Sequence, residues 1–169
     1  MSYLKHREEA PKTLNFAVVT ISTSKYKVKK ALDESGNLIV ELLKQADYKV
    51  MFRKIIPDKN KSIIEALDRA IDKECSIIIF IGGTGITKND LTVETITPLL
   101  QKEIPGFGEI LRKLSFERIG SAAILTRAVA GVVDGKIVFC LPGSPDAVRV
   151  ALEYLIIPEA PHLVKHARE

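Results

Sequence analysis

The 169-residue chain is predicted to fold as an α/β protein, a three-layer α/β/α structure with a mostly parallel sheet that carries one antiparallel hairpin. Two observations predict this class. Apolar, β-branched runs alternate with amphipathic helical segments along the first half of the chain, a pattern typical of parallel strands joined by helical crossovers. Later, an Asp-Gly pair separates two further apolar runs, and such a pair favours the tight turn of an antiparallel hairpin.

The first half of the chain contains three predicted strands, and the first and third are apolar runs suited to strands covered by helices on both faces. Leucine and isoleucine side chains recur at helical spacing between the first two strands, where Ser35 is a candidate cap. Ser62-Ile-Ile-Glu65 fits a capping box at the start of the next helix. The predicted elements are strands at residues 15–22, 49–56 and 76–81 and helices at residues 35–46 and 62–73.

The second half begins with a glycine-rich loop over residues 82–90 and continues with two predicted helices, the first limited by Pro98. Asp134-Gly135 is the predicted hairpin turn. Ser144 is the expected N-cap of a last long helix, with Pro145 as its first residue and a break at Pro158. The predicted elements here are helices at residues 91–100, 106–118 and 145–157 and strands at residues 128–133 and 136–141.

Composition limits the classes of function. Residues 1–13 are polar and are predicted to form a tail, and residues 14–169 are predicted to form a single domain. The net charge is only +4, and no basic tract interleaved with aromatic residues favours nucleic acid. No apolar stretch reaches membrane-spanning length. Cys75 and Cys140 form no C-x-x-C pair and the histidines lie near the termini, so neither a disulfide nor a zinc site is predicted, and a cytoplasmic protein is expected.

The first candidate site is the glycine loop, Gly82-Gly83-Thr84-Gly85, directly after the most apolar run. Parallel sheets place ligand sites beyond the carboxyl ends of their strands. Glycines allow backbone N–H groups to converge on an anion, which a Cβ atom would obstruct. The loop has neither the spacing of a P-loop nor that of a dinucleotide-binding fingerprint. An ordinary tight strand exit remains the alternative.

Asp58 and Asp90 are candidate metal ligands. Asp58 follows the second predicted strand and Asp90 follows the glycine loop, so both are expected at the same edge of the sheet. Mg²⁺ is usually held by one or two carboxylates together with substrate phosphates. A turn role for Asp58 and a helix-capping role for Asp90 are the alternatives when each residue is considered alone.

Two further loops contain small residues that open helices. Asp33-Glu34-Ser35-Gly36 begins the first long helix, whose N–H groups and dipole favour an anion, although simple capping explains it equally well. Leu141-Pro142-Gly143-Ser144-Pro145 follows the last predicted strand. Several such loops at one rim indicate a large, polyanionic ligand. Lysines in the loop after the first strand either cover this rim or are only solvated, and they are Lys25, Lys27, Lys29 and Lys30.

The ordered set of motifs resembles the MoaB/MogA-like family of molybdenum-cofactor biosynthesis domains. Ile81-Gly82-Gly83-Thr84-Gly85 with Asp90, Thr92 and Glu94 is similar to the family signature. The segments at 103–109 (EIPGFGE), 120–131 and 142–145 (PGSP) also resemble family segments. The similarity extends over about residues 15–164, and the order of the motifs makes it specific.

The resemblance implies a molybdopterin adenylyltransferase, which uses Mg²⁺, ATP and molybdopterin to form adenylyl-molybdopterin and pyrophosphate. It implies that Asp58 and Asp90 are the catalytic residues and hold the metal. It also implies a trimer or a dimer of trimers and a downstream metal-insertion protein. The expected substrate-binding residues are Ser22, Asp33, Ser35, Gly36, Gly82, Gly83, Thr84, Gly85, Thr92, Glu103, Pro142, Gly143, Ser144 and Pro145.

One departure concerns the exit of the first strand. Many family members have Ser-Asp there, whereas this chain has Ser22-Thr23-Ser24 and then a lysine-rich loop. A non-catalytic molybdopterin carrier, or an oligomeric scaffold, is the alternative function. The presence of both Asp58 and Asp90 favours the enzyme, because binding alone would not require two carboxylates beside phosphates. Molybdenum and tungsten pathways are equally compatible with the sequence.

Overall fold

The computed structural model describes residues 13–28 and 31–169. Its strands form one six-stranded sheet in the order β2-β1-β3-β6-β5-β4. The predicted tail at residues 1–13 lies outside the described residues except for Thr13, and so do Lys29 and Lys30. The strands are β1 Asn15–Ile21, β2 Lys49–Ile56, β3 Ile77–Ile81, β4 Lys102–Glu103, β5 Val129–Val133 and β6 Lys136–Leu141.

Helices connect most of the strands. The α-helices are α1 Thr23–Tyr26, α2 Glu34–Gln45, α3 Asn60–Asp72, α4 Thr92–Ile96, α5 Pro105–Ile119, α6 Pro145–Ala151 and α7 Ile157–Arg168. Short 3₁₀ segments cover Thr97–Leu99 and Gly120–Leu125, and a π-helical segment covers Leu152–Ile156. Within the described ranges, no helix combines the length and the apolar character needed to cross a membrane.

The sheet topology confirms the predicted fold class. Strands β2, β1, β3 and β6 are parallel neighbours, whereas β5 pairs antiparallel with β6. The carboxyl ends of the four parallel strands therefore meet at one edge of the sheet. The short edge strand β4 was not predicted; its Lys102 lies opposite Val132 and its Glu103 opposite Gly131, antiparallel to β5.

Alternation along the strands produces two hydrophobic cores. Phe16 and Val18 of β1 point to the face covered by α2, α5, α6 and α7, whereas Ala17 and Val19 point to the face covered by α3 and α4. All five residues of β3 are buried. A strand buried on both faces must be apolar at every position, which explains why the β3 sequence shows no alternation.

The predicted hairpin is confirmed. Asp134 and Gly135 have φ values of 47° and 69°, and Val133 pairs with Lys136 on either side of them. Two consecutive residues with positive φ define the turn whose twist matches an antiparallel pair, and Asp-Gly is a favoured sequence for it.

The starts of two helices differ from the prediction. Helix α2 begins at Glu34, and its N-cap is Asp33, whose side chain accepts a hydrogen bond from the Gly36 N–H; Ser35 lies inside the helix. Helix α3 begins at Asn60 after Lys59, which makes no side-chain cap, so the predicted capping box at Ser62 was wrong. The Lys59 N–H donates to Pro57 O at 2.8 Å in a tight turn, and this turn starts the helix earlier.

The predicted helix break at Pro158 was also wrong. Helix α6 continues through the π-helical segment into α7. The N–H of Ile157 donates to the carbonyl of Leu152, five residues earlier, which is the π pattern. Pro158 is the second residue of α7 and directly follows the π-helical segment. The wider π turn thus allows one continuous helical rod to pass a proline.

Candidate active site

The glycine loop (Gly82–Gly85) leaves β3 at the carboxyl edge of the sheet. Gly82 and Gly83 have φ values of 92° and 63°, which side chains rarely adopt. Thr92 is fully buried beneath the loop, with its hydroxyl donating to Gly82 O at 2.7 Å and its N–H donating to Gly83 O at 2.9 Å. Thr84 is also buried. Thr92 therefore fixes the carbonyl side of the loop.

Only some of the backbone N–H groups of the loop donate hydrogen bonds within the protein. The Gly82 N–H donates to Leu141 O at 3.0 Å. Among the residues that the structure describes, the N–H groups of Gly83 and Thr84 meet no protein acceptor. Unpaired backbone donors at a strand exit require solvent or a ligand, and adjacent N–H groups of this kind suit an anion.

Asp58 borders the loop on the side of β1 and β2. The Thr23 backbone N–H and its hydroxyl both donate to Oδ2 of Asp58 at 2.8 Å, and the Asp58 N–H donates to Thr23 Oγ1 at 3.0 Å. Oδ1 faces the loop, since a Cβ atom built on Gly83 would lie 3.3 Å from it. Ser22 extends the sheet here by donating its N–H to Ile56 O, and its hydroxyl caps α1.

Asp90 borders the loop on the other side. The Thr87 N–H and hydroxyl donate to its Oδ2 at 2.9 and 2.7 Å, and a Cβ atom on Gly85 would lie 2.7 Å from the same oxygen. The Thr87 hydroxyl is the main cause that lowers the pKa of Asp90, and the neighbouring N–H groups and the charge of Arg127 also lower it, against a smaller effect of burial. Asp90 is therefore a carboxylate at neutral pH.

The two carboxylates flank one loop, Asp58 at Gly83 and Asp90 at Gly85. In the described ranges, no group of three or more His, Cys, Asp or Glu side chains is arranged as a metal site by itself. Two carboxylates beside a potential phosphate site nevertheless fit Mg²⁺, which takes oxygen ligands and shares its coordination with substrate phosphates and water.

The Pro-Gly-Ser-Pro loop (Pro142–Pro145) lies directly against the glycine loop. A Cβ atom on Gly143 would contact the Cα of Gly82 at 3.6 Å. The Ser35 hydroxyl donates to Gly143 O at 2.7 Å and ties the start of α2 to this loop. Ser144 caps α6 by accepting from the Ala147 N–H, as predicted.

Asp33 serves the protein itself. Its buried carboxylate accepts from the Thr20 hydroxyl at 2.8 Å and from Arg53 at 3.3 Å, and Lys25 lies 3.7 Å away. Gly36 is required at its position because a Cβ atom there would lie 2.1 Å from Asp33 Oδ2. The capping alternative for this segment is thus observed, and any contact of Asp33 with a ligand stays a prediction.

Glu103 is the one predicted site residue that the topology separates from the glycine loop. It lies exposed on β4, which β5 and β6 separate from β3. Together with Gly108, Arg112 and Ala128 it lines a different pocket of about 190 Å³. All the other predicted site residues follow the carboxyl ends of parallel strands or begin helices α2, α4 and α6 beside them.

Sequence reasoning missed the partners that hold the two carboxylates. Thr87 precedes Asp90 by three residues, a local spacing from which the turn could have been inferred. Thr23 and Asp58 are 35 residues apart, and nothing in the sequence indicates that they meet. Arg127, from the predicted 120–131 segment, forms an ion pair with Glu94.

These observations define an α/β protein with a candidate anion-binding site where loops converge at the carboxyl edge of a parallel sheet. Residues 17–162 match the family model described as a probable molybdopterin binding domain. The chain is 44% identical over 165 residues to molybdenum cofactor biosynthesis protein B of Bacillus cereus, with 96% of each chain covered. It is 43% identical over 173 residues to the molybdopterin adenylyltransferase of Pyrococcus furiosus, with both chains fully covered at 100%.

Solved structures agree with the sequence comparison. The crystal structure of the tungsten cofactor synthesizing protein MoaB from Pyrococcus furiosus matches with a TM-score of 0.88 and 43% identity, covering 95% of this chain and 100% of that one. A structure of MogA matches with a TM-score of 0.81 and 28% identity, covering 90% and 99%. The chain belongs to the MoaB/MogA family of molybdopterin-binding domains, and the predicted role in molybdenum cofactor biosynthesis is confirmed.

Proposed function

We propose that this chain transfers the adenylyl group of ATP to molybdopterin. An oxygen of the terminal phosphate of molybdopterin attacks the α-phosphorus of ATP. The bond from that phosphorus to the oxygen bridging to the β-phosphate breaks, and pyrophosphate leaves with the bonding electrons. Reactions of this kind depend mainly on positioning and on stabilisation of the phosphate charge, and they need no covalent enzyme intermediate.

The observation that carries the proposal is the glycine loop with unpaired N–H groups between two carboxylates. The N–H groups of Gly83 and Thr84 would donate to phosphate oxygens. Asp58 and Asp90 would hold Mg²⁺, which when bound neutralises charge on the phosphates. Thr23 and Thr87 orient these carboxylates through Oδ2, so that the loop, the acids and the substrates meet in a defined geometry.

The Pro-Gly-Ser-Pro loop is the proposed contact for the pterin. A pocket of about 410 Å³ adjoins this loop, and residues of α5, α6 and the loop line it, namely Ser115, Arg118, Ile119, Ser144, Asp146, Ala147 and Val150. A concave site that combines apolar side chains with polar and charged groups suits a flat, polar heterocycle. Ser35 would support this contact indirectly, because it holds the Gly143 carbonyl.

The decisive experiment combines purified protein, molybdopterin, ATP and Mg²⁺ and measures pyrophosphate release. We expect pyrophosphate release from the unaltered protein. Release should be lost in Asp58→Asn and Asp90→Asn, because an amide is a poor ligand for Mg²⁺. Molybdopterin binding should be retained in both variants. Asp68→Asn is the matched control, since Asp68 is an exposed carboxylate on α3. Stoichiometric molybdopterin binding without pyrophosphate release from any of the proteins would instead support the carrier or scaffold.

Self-association in threes, as a trimer or a dimer of trimers, is part of the proposal. Its support is an apolar patch at the end of α5 and in the following 3₁₀ segment. Phe116, Ile119, Ile124 and Leu125 are 55–84% exposed there. An exposed cluster of this kind marks an interaction surface. Ile124→Lys should reduce the mass measured by light scattering without changing the fold, and a monomeric unaltered protein would contradict the proposal.

The product would pass to a downstream metal-insertion protein, and both proteins would act in the cytoplasm. The support for a reducing compartment is that Cys75 and Cys140 are free and buried rather than paired. Burial raises the pKa of both thiols, which keeps them unreactive. A pull-down from the source cell with the adenylylated product present tests the transfer, and recovery of the chain in a secreted fraction would contradict the location.

A further inference from the structure

Two imidazole rings face each other on α7. His162 and His166 are one helical turn apart, and their Nε2 atoms are separated by 3.0 Å. The ring centroids lie 4.6 Å apart at an interplanar angle of 70°. The His162 side chain is 20% exposed and the His166 side chain is 47% exposed, so both rings are reachable from solvent.

Carboxylates orient both rings from behind. Nδ1 of His162 lies 3.2 Å from Oε2 of Glu159, and Nδ1 of His166 lies 3.1 Å from Oε2 of Glu169. An ionised carboxylate only accepts hydrogen bonds, so each Nδ1 must carry the proton. A neutral ring protonated at Nδ1 presents a lone pair at Nε2. The two Nε2 atoms face each other at 3.0 Å, and a cation between them would take one lone pair from each ring.

This arrangement is that of a metal-binding pair. Metal-ligating histidines commonly donate their second ring N–H to a carboxylate, which fixes the tautomer and raises the basicity of the ligating nitrogen. A metal about 2.1 Å from each nitrogen would see a separation of 3.0 Å at an angle of about 90°. Right angles are typical of tetragonal or octahedral nitrogen coordination, as for Ni²⁺ or Cu²⁺, whereas a tetrahedral ion would require the nitrogens to lie about 3.4 Å apart.

We propose that Nε2 of His162 and Nε2 of His166 bind one late first-row divalent transition metal ion, with water completing its coordination. Within the described ranges no third His, Cys, Asp or Glu joins them to form a larger metal group. The affinity of the site depends on both imidazoles. No metal site was predicted at the histidines because they lie near the termini, but two of them fall one helical turn apart on α7.

The proposed site is distinct from the glycine loop. Arg168 lies two residues after His166 at the end of α7. It donates to the Ser76 hydroxyl at 3.0 Å, and Ser76 directly precedes β3. Ala167 O lies 3.4 Å from a Cβ atom built on Gly135, which is in the turn before β6. Both contacts are at the amino ends of strands whose carboxyl ends form the candidate active site. The proposal therefore does not depend on adenylyl transfer.

The test is calorimetric titration of Ni²⁺ into the untagged full chain. We expect one saturable equivalent per chain and a rise in the unfolding temperature with nickel concentration, because the folded state alone holds the pair. His166→Gln and His162→Gln should each weaken binding by about a hundredfold, since two ligands on one scaffold act together. Glu169→Gln should weaken it by roughly tenfold through loss of the orienting carboxylate.

His6→Gln is the matched control, because His6 is the third histidine of the chain. Its affinity for nickel should equal that of the unaltered protein. His166 is the more exposed histidine of the pair, so His166→Gln should remove a metal ligand without disturbing the fold. Weaker nickel binding in this variant is then not explained by misfolding. The proposal would be overturned by the absence of saturable binding, by binding in either ring variant as tight as in the unaltered protein, or by a loss in His6→Gln equal to that in the ring variants. A pair that only shares a proton would give the first of these results.

Discussion

Thr23 and Asp58 hold each other at the junction of two strand exits. Both the N–H and the hydroxyl of Thr23 donate to one carboxylate oxygen of Asp58, and the Asp58 N–H donates back to the same hydroxyl. Thr23 stands at the position where many family members have an aspartate. The departure from the family sequence is therefore used in this chain to orient a candidate catalytic carboxylate.

Thr23→Val tests this role. The variant keeps the backbone N–H contact but loses the hydroxyl, so Asp58 loses one donor and its own N–H loses an acceptor. We expect pyrophosphate release to fall by about tenfold to a hundredfold and the free energy of unfolding to fall by about 1 kcal/mol. Ser24→Ala, in the same short helix α1, removes only an exposed contact with Ser22 and should leave the rate unchanged. Equal rates in Thr23→Val and Ser24→Ala would contradict the orienting role.

Thr87→Val should shift the acid limb of the pH–rate profile to higher pH. The Thr87 hydroxyl is the main cause of the low pKa of Asp90. Because this pKa is depressed in the folded protein, the stabilisation of the carboxylate is present above its unfolded pKa and is lost as the pH falls through its folded value. Removing the hydroxyl raises the folded pKa, so the carboxylate is protonated earlier on acidification. An unshifted acid limb in pyrophosphate release would mean that Asp90 ionisation does not limit the rate.

Gly85→Ala should separate function from stability. Gly85 does not have a positive φ, so alanine introduces little backbone strain there. The Cβ atom of the alanine would, however, lie 2.7 Å from Oδ2 of Asp90. The carboxylate must move, and we expect the rate to fall by about tenfold or more while the unfolding temperature changes little.

Gly83→Val is the informative contrast. A Cβ atom there would lie 2.3 Å from the hydroxyl of buried Thr92, at a φ of 63°. Thermal unfolding should therefore show a clear loss of stability in addition to any loss of ligand affinity. A Gly85→Ala protein as destabilised as Gly83→Val would contradict the distinction.

Ser35→Ala should act on substrate binding. The variant removes the 2.7 Å hydrogen bond to Gly143 O and leaves that carbonyl without its side-chain donor. We expect KM for molybdopterin to rise while kcat and KM for ATP change little, and the free energy of unfolding to fall by about 1 kcal/mol. Ser62→Ala, in the first turn of α3, is the control. A rise in KM for ATP alone would assign the loop to the nucleotide instead.

The parts of the fold that could be predicted are those coded locally. The apolar runs, the Asp134-Gly135 turn and the Ser144 cap each depend on neighbouring residues, and each is confirmed. The start of α3 could not be read from Ser62-Ile-Ile-Glu65, because the length of the turn after β2 decides where the helix begins. The continuation past Pro158 depends on a π turn that shows no sequence signal.

The candidate site divides in the same way. The glycine loop and both aspartates could be found from their positions after strands, since the carboxyl ends of parallel strands share one edge. What orients them could not be found where the partner is distant in the chain, as for Asp33, which meets Thr20 and Arg53 across β1 and β2. Glu103 was predicted as a site residue from its place in the family segment at residues 103–109. The strand order, however, separates it from the glycine loop by two strands.

Charge on the two outer strands has a consequence for how the protein behaves when concentrated. β2 ends the sheet on one side and exposes Lys49, Arg53 and Lys54, and β4 ends it on the other with only Lys102 and Glu103. If two molecules joined β2 to β2, like charges would be brought together, and two residues of β4 offer little backbone to pair with. Fibrous aggregation by sheet extension is thereby disfavoured, and higher concentrations should drive only contacts made through helices.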